Sequence, residues 1–414
     1  MTSHSNIDKT DWIPAEGTLA RKILFIGEAP ASTEIQLHRL FVGRAGREQD
    51  RLNLLVGIQR GDARWTNVMK RRPPNDDITL FIDLSGKKKP DYEHFLNWIS
   101  GEVQEPPPGI NHLCKDHIID LFAEVDSFRG NVIVPLGNVP LWVLTGLTAI
   151  TKRRGSILTA RGKKIVPCVH PSSILRSYSL IERRFAVLDL ERVRNEAKSP
   201  DLNMIVHTYR TYPTFLEAKD YLEHCHSLEN VGFDIECMRV GNGALEVSCL
   251  ALAHSTTDAM CIPFVTQRHS YFTEAEEVEI WTILARVLAD WNVAKTGQNI
   301  IFDASFMYRT LGILTNNMHD TMIGHTIRYP DLRTKVNKKQ GEASQVKGTV
   351  GLDLLTRFYT REPYYKDEGK EWSNFWHFEE SFFIYNAKDA CIVLEILPQE
   401  LQRLEEQDRY DPNV

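Results

Sequence analysis

Apolar and polar positions alternate along the first half of the chain in a way typical of α/β proteins. Four short apolar runs, separated by segments of helical length, predict a mostly parallel sheet: residues 22–27, 65–68, 132–136 and 165–169. Ligands of such sheets bind at the carboxyl ends of the strands, where these runs give way to polar or turn residues. We therefore expect Glu28, Asn67 and His170 to face one crevice.

The second half begins with strands and continues as helices, which predicts an antiparallel sheet followed by a helical region. Its centre is residues 231–236, VGFDIE, a buried strand that ends in Asp234 and Glu236. Because strand side chains alternate between faces, these two carboxylates lie on one face and repel each other unless a cation binds between them. Helices are expected at residues 214–225, 274–291, 302–311, 320–329, 352–358 and 378–397.

Length and composition indicate two globular domains. The chain has 414 residues, of which 42% are hydrophobic and 25% charged. We place the domains at residues 20–197 and 203–402, joined by a linker at 198–203, with a long surface excursion at 75–109 that carries one short helix. Secretion and membrane-spanning segments are not predicted, so a cytoplasmic location is expected. Seven cysteines without a C-x-x-C pair indicate reduced thiols.

The net charge of −6 conceals an asymmetry. Residues 1–200 carry 29 basic and 23 acidic residues, a balance of +6, and the remaining residues carry 20 and 32, a balance of −12. The first half can therefore attract a polyanion without help, although an ordinary solvated surface explains its excess equally well. The second half needs cations or a narrow basic surface to do the same.

Two further acidic positions can complete a metal site with the VGFDIE pair. Asp303 follows Asn299 by four residues in GQNIIFD, and Asp389 follows Tyr385 by four in YNAKD, a spacing that places each pair on one helical face. Four converging carboxylates in apolar surroundings require divalent cations, and oxygen ligands favour Mg²⁺ or Mn²⁺.

These motifs carry a family resemblance. FDIE, GQNIIFD with MHDTMIG, and YNAKD resemble, in order and spacing, the three exonuclease motifs of the proofreading domain of bacterial DNA polymerase I and its phage relatives, over about residues 203–400. The resemblance implies an RNase H-like, DEDDy-type 3′–5′ exonuclease. It implies that Asp234, Glu236, Asp303 and Asp389 bind two metal ions, and that Tyr385 orients the attacking water. Cys237 replaces a common Thr, which weakens the expected contacts to the primer end.

Two segments of the second half combine basic residues with glycine or aromatic residues. Residues 334–348 are basic and are interpreted either as a track for single-stranded DNA or as a solvated loop. Residues 362–372 have the aromatic and basic mixture found on surfaces that contact nucleic acid.

The first half carries a second resemblance. GEAPASTE, LFVGRAG, TNVMKRRPP, VIVPLG and HPSSILRS resemble the uracil-DNA glycosylase superfamily, closest to its iron–sulfur branch, over about residues 20–195. The resemblance implies a three-layer α/β domain and a metal-free pocket. In that pocket Glu28 positions water or stabilises the sugar cation, Phe41 stacks on the flipped base, Asn67 reads its Watson–Crick edge and His170 hydrogen-bonds uracil O2. The resemblance also implies that Leu175 or Arg176 fills the gap left in the duplex.

Departures from the branch limit this expectation. The KCRPP context of one cluster cysteine reads KRRPP at residues 70–74, and Cys114 alone matches a ligand, so we expect no iron–sulfur cluster. Ala31 replaces a customary Gly. The excursion at 75–109 is expected to cover the DNA face or to recruit a partner. Active base excision and a docking or uracil-sensing role both remain open.

The combined prediction is a 3′–5′ exonuclease that proofreads for a separately encoded phage-type DNA polymerase. The chain ends at Val414, soon after YNAKD, so a polymerase domain is not expected. Expected partners are single-stranded DNA 3′ ends, uracil-containing duplex DNA and a polymerase subunit, in the host cytoplasm if a phage encodes the protein. The alternatives are a free-standing repair enzyme that couples uracil excision to end degradation and a non-catalytic DNA-binding assembly factor.

Overall fold

The computed structural model describes residues 12–240, 244–266, 269–330, 332, 350–366 and 379–410. The chain divides into two compact units, Met1–Asn203 and Met204–Val414, and apolar clusters form the core of each. Within the described ranges, no helix has the length and apolar character needed to cross a membrane. The predicted DNA track at 334–348 lies outside the described residues, as do the residues of the 362–372 segment after Lys366.

The described part of the N-terminal unit contains a five-stranded sheet in the order β2-β1-β3-β5-β4. Strands β2, β1, β3 and β5 are parallel, and β4 is antiparallel to β5, as expected for a mostly parallel sheet. The strands are β1 Ile23–Gly27, β2 Ala63–Asn67, β3 Val132–Pro135, β4 Leu158–Ala160 and β5 Lys163–Ile165. The helices are α1 Ser32–Leu37, α2 Arg44–Leu55, α3 Tyr92–Ser100, α4 Lys115–Ser127, α5 Asn138–Thr145, α6 Ile150–Arg153, α7 Pro171–Ser177 and α8 Leu180–Glu196.

The prediction of a surface excursion at residues 75–109 is wrong for its apolar positions. Phe81, Ile82, Phe95 and Trp98 are buried in the core of the unit. Helix α3 begins at an Asp91 cap whose carboxylate accepts the His94 N–H at 2.8 Å, and its apolar face packs inward. The apolar residues of this segment therefore belong to the core and stabilise the unit through burial of apolar surface.

The described part of the C-terminal unit contains a six-stranded sheet in the order β13-β12-β7-β8-β9-β6, and β10 and β11 form a separate hairpin. The strands are β6 Thr208–Arg210, β7 Asn230–Val240, β8 Ala244–Ala253, β9 Asp258–Pro263, β10 Val265–Thr266, β11 His269–Ser270, β12 Ala294–Gly297 and β13 Met318–Asp320. The helices are α9 Phe215–His226, α10 Glu274–Ala289, α11 Ile300–Leu311, α12 Thr321–Arg328, α13 Leu352–Tyr359 and α14 Glu379–Tyr410.

The C-terminal sheet is mixed, whereas the sequence predicts an antiparallel one. Strands β7, β8 and β9 are antiparallel, but β12 and β13 extend the sheet in parallel beside β7. The prediction misses these strands because they are short and contain polar residues. Lys295 is fully buried in β12, where its ammonium donates to the carbonyls of Asp290 at 2.7 Å and Val293 at 2.6 Å.

Helix α14 packs directly on β7, β8 and β9 through a core that includes Phe383 and Ala387. The approach to β7 is close because residue 232 is glycine. A Cβ at Gly232 would lie 1.9 Å from the carbonyl oxygen of Ala390, a distance too short for any side chain at this position. This contact brings α14 close to the acidic end of β7.

Candidate active sites

Three of the four predicted acidic residues meet at one point of the C-terminal unit. Carboxylate oxygens of Asp234 and Glu236 on β7 and of Asp389 on α14 all lie within 4.8 Å of one another. A register irregularity between Glu236 and Cys237 interrupts the pairing of β7 with β8 directly after the second acid. Asp389 is buried, and the two strand carboxylates are partly exposed. The donor set is the hard oxygen type that Mg²⁺ and Mn²⁺ prefer.

Asp303 lies beside this group but is not one of the three whose oxygens meet. It is buried in the first turn of α11, and its Oδ1 accepts the Ile235 N–H at 3.3 Å, between the two strand acids. The helix is oriented by Asn299, which caps it in the left-handed conformation at φ 56° and donates its N–H to Asp320 Oδ1 at 3.0 Å. Asn299 therefore lies at the helix start in a structural position.

Desolvation and mutual repulsion raise the pKa values of these carboxyl groups. The pKa of Glu236 is raised to about 8 by desolvation and by Asp389. Desolvation raises the pKa of Asp303 to about 7. The pKa of Asp234 is raised well above its usual value by desolvation and by the three neighbouring carboxylates. The raised pKa values favour binding of a cation at this group, because a bound positive charge offsets the repulsion between the carboxylates and lets them stay ionised.

Tyr385 lies one helical turn before Asp389. The structure adds two neighbours from the 362–372 segment, which the sequence indicated only as a surface for nucleic acid. Lys366 pairs with Asp389 Oδ2 and donates to the Tyr385 hydroxyl at 2.7 Å. Tyr365 is buried and donates its hydroxyl to Asp389 Oδ1 at 2.5 Å. Both oxygens of Asp389 are thus engaged by side chains from residues 361–366, a contact that no local pattern could predict.

Asn386 is a further residue that sequence reasoning missed. Its side chain is fully buried, and Nδ2 donates to Asp234 Oδ2 at 2.7 Å and to the Asp234 carbonyl at 3.3 Å. Its Oδ1 accepts from the Cys261 thiol at 3.3 Å. Asn386 therefore fixes the orientation of Asp234. The signal available in the sequence was the position of Asn386 inside YNAKD, directly after Tyr385.

In the N-terminal unit, two predicted pocket residues, Asn67 and Phe41, meet at the carboxyl ends of β1 and β2. Gly27 and Asn67 are register partners, and both lie at the ends of their strands. A Cβ at Gly27 would lie 2.3 Å from Asn67 Oδ1 and 2.8 Å from Phe41 Cζ. Phe41 is buried with φ 54°, and its ring centroid lies 5.0 Å from that of Trp65. The missing side chain of Gly27 thus allows the aromatic ring and the amide to approach.

Glu28 and His170 flank Gly137 at the same edge of the sheet. A Cβ at Gly137 would lie 3.0 Å from Glu28 Oε1 and 3.3 Å from His170 Cβ, and Gly137 has φ 99°. Burial raises the pKa of Glu28 to about 7 and lowers that of His170 to about 4. The imidazole is therefore neutral at physiological pH.

The hydrogen bonds of His170 identify its tautomer. His170 caps α7, and its Nδ1 accepts the Ser172 N–H at 3.2 Å and contacts Ser172 Oγ at 2.7 Å. Because Nδ1 accepts, the proton of the neutral ring is on Nε2. Arg176, one of the two predicted wedge residues, is exposed and donates to Ser172 Oγ at 3.2 Å, whereas Leu175 is partly buried.

The loop that carries Phe41 is held by Glu34, which sequence reasoning also missed. Its buried carboxylate accepts the Gly43 N–H at 2.7 Å and the N–H of Ala31, at the Gly-to-Ala departure, at 3.2 Å. A side chain at Gly43 would lie 2.8 Å from Glu34 Oε1. These two bonds tie the start and the end of the loop together.

The residues present do not fit a four-cysteine iron–sulfur cluster. Cys114, the single cysteine at a matching position, is buried and donates its thiol to the Asn111 carbonyl at 2.9 Å. Burial raises the pKa of its thiol to about 12, which disfavours the thiolate that such a cluster needs. Lys70, in the KRRPP run, is buried and donates to Thr66 Oγ1 at 2.7 Å and Glu124 at 3.2 Å.

Comparison with known proteins gives one family for each unit. Residues 209–404 match the 3′–5′ exonuclease family, and residues 14–192 match the uracil DNA glycosylase superfamily. The chain is 31% identical over 196 residues to the type-4 uracil-DNA glycosylase of Thermotoga maritima, covering 47% of this chain and 86% of that protein. It is 25% identical over 230 residues to the DNA polymerase of Bacillus phage SP01, covering 54% of this chain and 22% of the polymerase.

Among solved structures, the Aedes aegypti Nibbler EXO domain is similar at 20% identity and a TM-score of 0.35, covering 50% of this chain and 92% of that one. The sequence matches define the class: a hydrolytic nuclease joined to a glycosylase-type α/β domain. The chain belongs to the uracil DNA glycosylase superfamily through its N-terminal unit, and its C-terminal unit carries the match to the 3′–5′ exonuclease family. Both family resemblances seen in the sequence are confirmed.

Proposed function

We propose that the protein removes nucleotides one at a time from DNA 3′ ends by metal-dependent hydrolysis in its C-terminal unit. The observation that carries the proposal is the meeting of Asp234, Glu236 and Asp389 within 4.8 Å, on a strand and a helix whose backbones nearly touch. Together with Asp303 these residues would hold two Mg²⁺ or Mn²⁺ ions. Metal ions bound there supply a water that is activated at neutral pH and a positive charge for the scissile phosphate.

Hydrogen bonds within the unit hold two of the acids in an orientation that suits this chemistry. Asn386 orients Asp234, and the Ile235 N–H orients Asp303. Tyr385, at the edge of the acidic group, directs its hydroxyl toward the attacking water. Preorganised groups of this kind contribute to the rate because they do not reorganise during the reaction.

DNA is the favoured substrate, and proofreading for a separate phage-type polymerase is the favoured role. Two features support this. A domain of the glycosylase superfamily is present in the same chain, and a phage DNA polymerase contains a segment similar to this chain within a longer protein. The reaction would then take place in the cytoplasm of the host cell, on the growing 3′ end.

The experiment is digestion of a labelled single-stranded oligonucleotide with Mg²⁺ by the full chain, by Asp234→Ala and by Asp389→Ala. We expect the wild type to shorten the strand and each variant to lose at least a hundredfold in rate. Degradation that persists in both variants would reject the site. Gel filtration with a separately encoded phage-type DNA polymerase and primer–template DNA tests the proofreading role. The role is rejected if the two proteins never comigrate.

A second candidate function, uracil excision, is supported by the N-terminal pocket. Glu28 and His170 flank Gly137, and the neutral His170 ring carries its proton on Nε2, the form that donates to a base carbonyl. The test uses the Asp234→Ala background, so that the nuclease leaves the product intact. We expect abasic sites in a uracil-containing duplex, and their persistence after Glu28→Ala with His170→Ala would reject the pocket.

A further inference from the structure

Residues 361–366, which follow α13, run along α14 toward the acidic group. The Arg361 N–H donates to Glu395 at 2.8 Å, and Lys388 pairs with Glu362 at 3.4 Å. The Tyr365 hydroxyl then reaches Asp389. The α14 partners of these contacts lie progressively nearer to Asp389 along the helix. The contacts therefore fix the position of the segment against α14. They hold the neighbouring Lys366 in a defined place.

Lys366 follows Tyr365 in the chain, and its ammonium lies between two groups of the nuclease site. It pairs with Asp389 Oδ2, donates to Tyr385 Oη at 2.7 Å and lies 4.3 Å from the centre of the Tyr385 ring. The side chain is 17% exposed, so the pair is largely shielded from water. An ammonium group is only a donor, so it uses a lone pair of the tyrosine oxygen.

We propose that Lys366 is a positioning residue of the exonuclease reaction, which sets the direction of the Tyr385 hydroxyl while it is paired with Asp389. The inference rests on the proposed function. It assigns to the 361–366 segment a role in completing the site, beyond the five residues that the motifs indicate.

Two opposite effects follow from removing the ammonium. The reaction slows because the Tyr385 hydroxyl loses its fixed direction, and groups that orient metal-site residues contribute roughly 10- to 100-fold to activity. Metal binding becomes stronger because Asp389 loses a cation that competes for its charge, and one nearby charge changes the affinity by about tenfold in a partly exposed site. A variant that simply misfolds would lose both activity and metal affinity.

The test compares the full-length wild type with Lys366→Met and Lys366→Arg. Lys219→Met is the matched control, because Lys219 forms a surface ion pair with Glu279 on α9 and α10. The measurements are kcat and KM on a 5′-labelled single-stranded oligonucleotide, and Mn²⁺ affinity by electron paramagnetic resonance without DNA. The same substitution is made in a Tyr385→Phe background to complete a double-mutant cycle.

For Lys366→Met we expect a roughly 10- to 100-fold lower kcat, an unchanged KM and tighter Mn²⁺ binding. Lys366→Arg should keep the wild-type Mn²⁺ affinity and recover part of kcat. In the Tyr385→Phe background the loss caused by Lys366→Met should shrink to less than about threefold, since the two side chains act together.

An active wild type with an unchanged kcat in Lys366→Met, or with fully additive losses in the cycle, would overturn this inference and leave the proposed function standing. A wild type that binds Mn²⁺ but leaves the oligonucleotide intact would overturn both.

Discussion

The hydrogen bond from Asn386 to Asp234 provides a sharp test of how the acidic group is organised. Replacing Asn386 with leucine keeps the size of this fully buried side chain but removes the donor that lies 2.7 Å from Asp234 Oδ2. A hydrogen bond to a charged group contributes about 1.5–3 kcal/mol. If that energy orients the carboxylate for metal binding and reaction, the loss corresponds to about 10- to 100-fold in activity.

The assay measures kcat on a single-stranded oligonucleotide and the Mg²⁺ concentration that gives half the maximal rate. Asn386→Leu should lower kcat and raise that concentration, and Asn386→Asp should do so more strongly because it adds a carboxylate next to Asp234. Asn316→Leu is the matched control, since Asn316 donates at 2.7 Å to the Ala289 carbonyl. If Asn386→Leu folds normally and both values stay within about twofold of wild type, the orienting role is refuted.

Three further outcomes are expected. Gly27→Ala should lower the unfolding free energy of the N-terminal unit by about 1–3 kcal/mol and abolish binding of uracil-containing DNA, because the new methyl would meet Asn67 and Phe41; thermal melting and gel shift check this. Burial raises the pKa of Glu28 from 4.5 to about 7, so the folded unit binds more protons in that window and loses stability as pH rises from about 4.5 through about 7. Urea unfolding at several pH values should show this loss of unfolding free energy, about 3 kcal/mol in all. The unfolding free energy of Glu28→Gln should depend less on pH. Mn²⁺ at about a hundred times its Kd should stabilise the C-terminal unit by about 2.7 kcal/mol in a melting experiment, and Asp389→Asn should remove most of that gain.

Local pattern was sufficient for the parts of each site that lie on one element. Alternation along β7 places Asp234 and Glu236 on one face, and the four-residue spacing places Tyr385 and Asp389 together on α14. In the N-terminal unit, the position of a polar residue at the end of a strand indicates Asn67 from the sequence alone. In these cases the secondary structure itself defines the position of the residue, either through its period or through the end of a strand.

Contacts between distant segments could not be predicted in the same way. Lys366 reaches Asp389 from a segment without periodicity, and Asn386 contacts a carboxylate 152 residues away. The strands β12 and β13 are short and contain polar residues, so their place in the sheet depends on pairing with β7 and not on their own composition. The Gly- and Pro-rich residues around Phe81 resemble a loop and predict a surface position, whereas its ring packs into the core.

The central claim is that the C-terminal unit hydrolyses DNA from the 3′ end with metal ions held by Asp234, Glu236, Asp303 and Asp389. The most direct measurement follows a 5′-labelled single-stranded oligonucleotide over time, with a free or a chemically blocked 3′ end, with and without Mg²⁺. The account predicts a ladder of shortening products that needs both a free 3′ end and Mg²⁺ and is absent in Asp389→Asn. Release of the labelled 5′ nucleotide first, or an unchanged ladder from the variant, would contradict it.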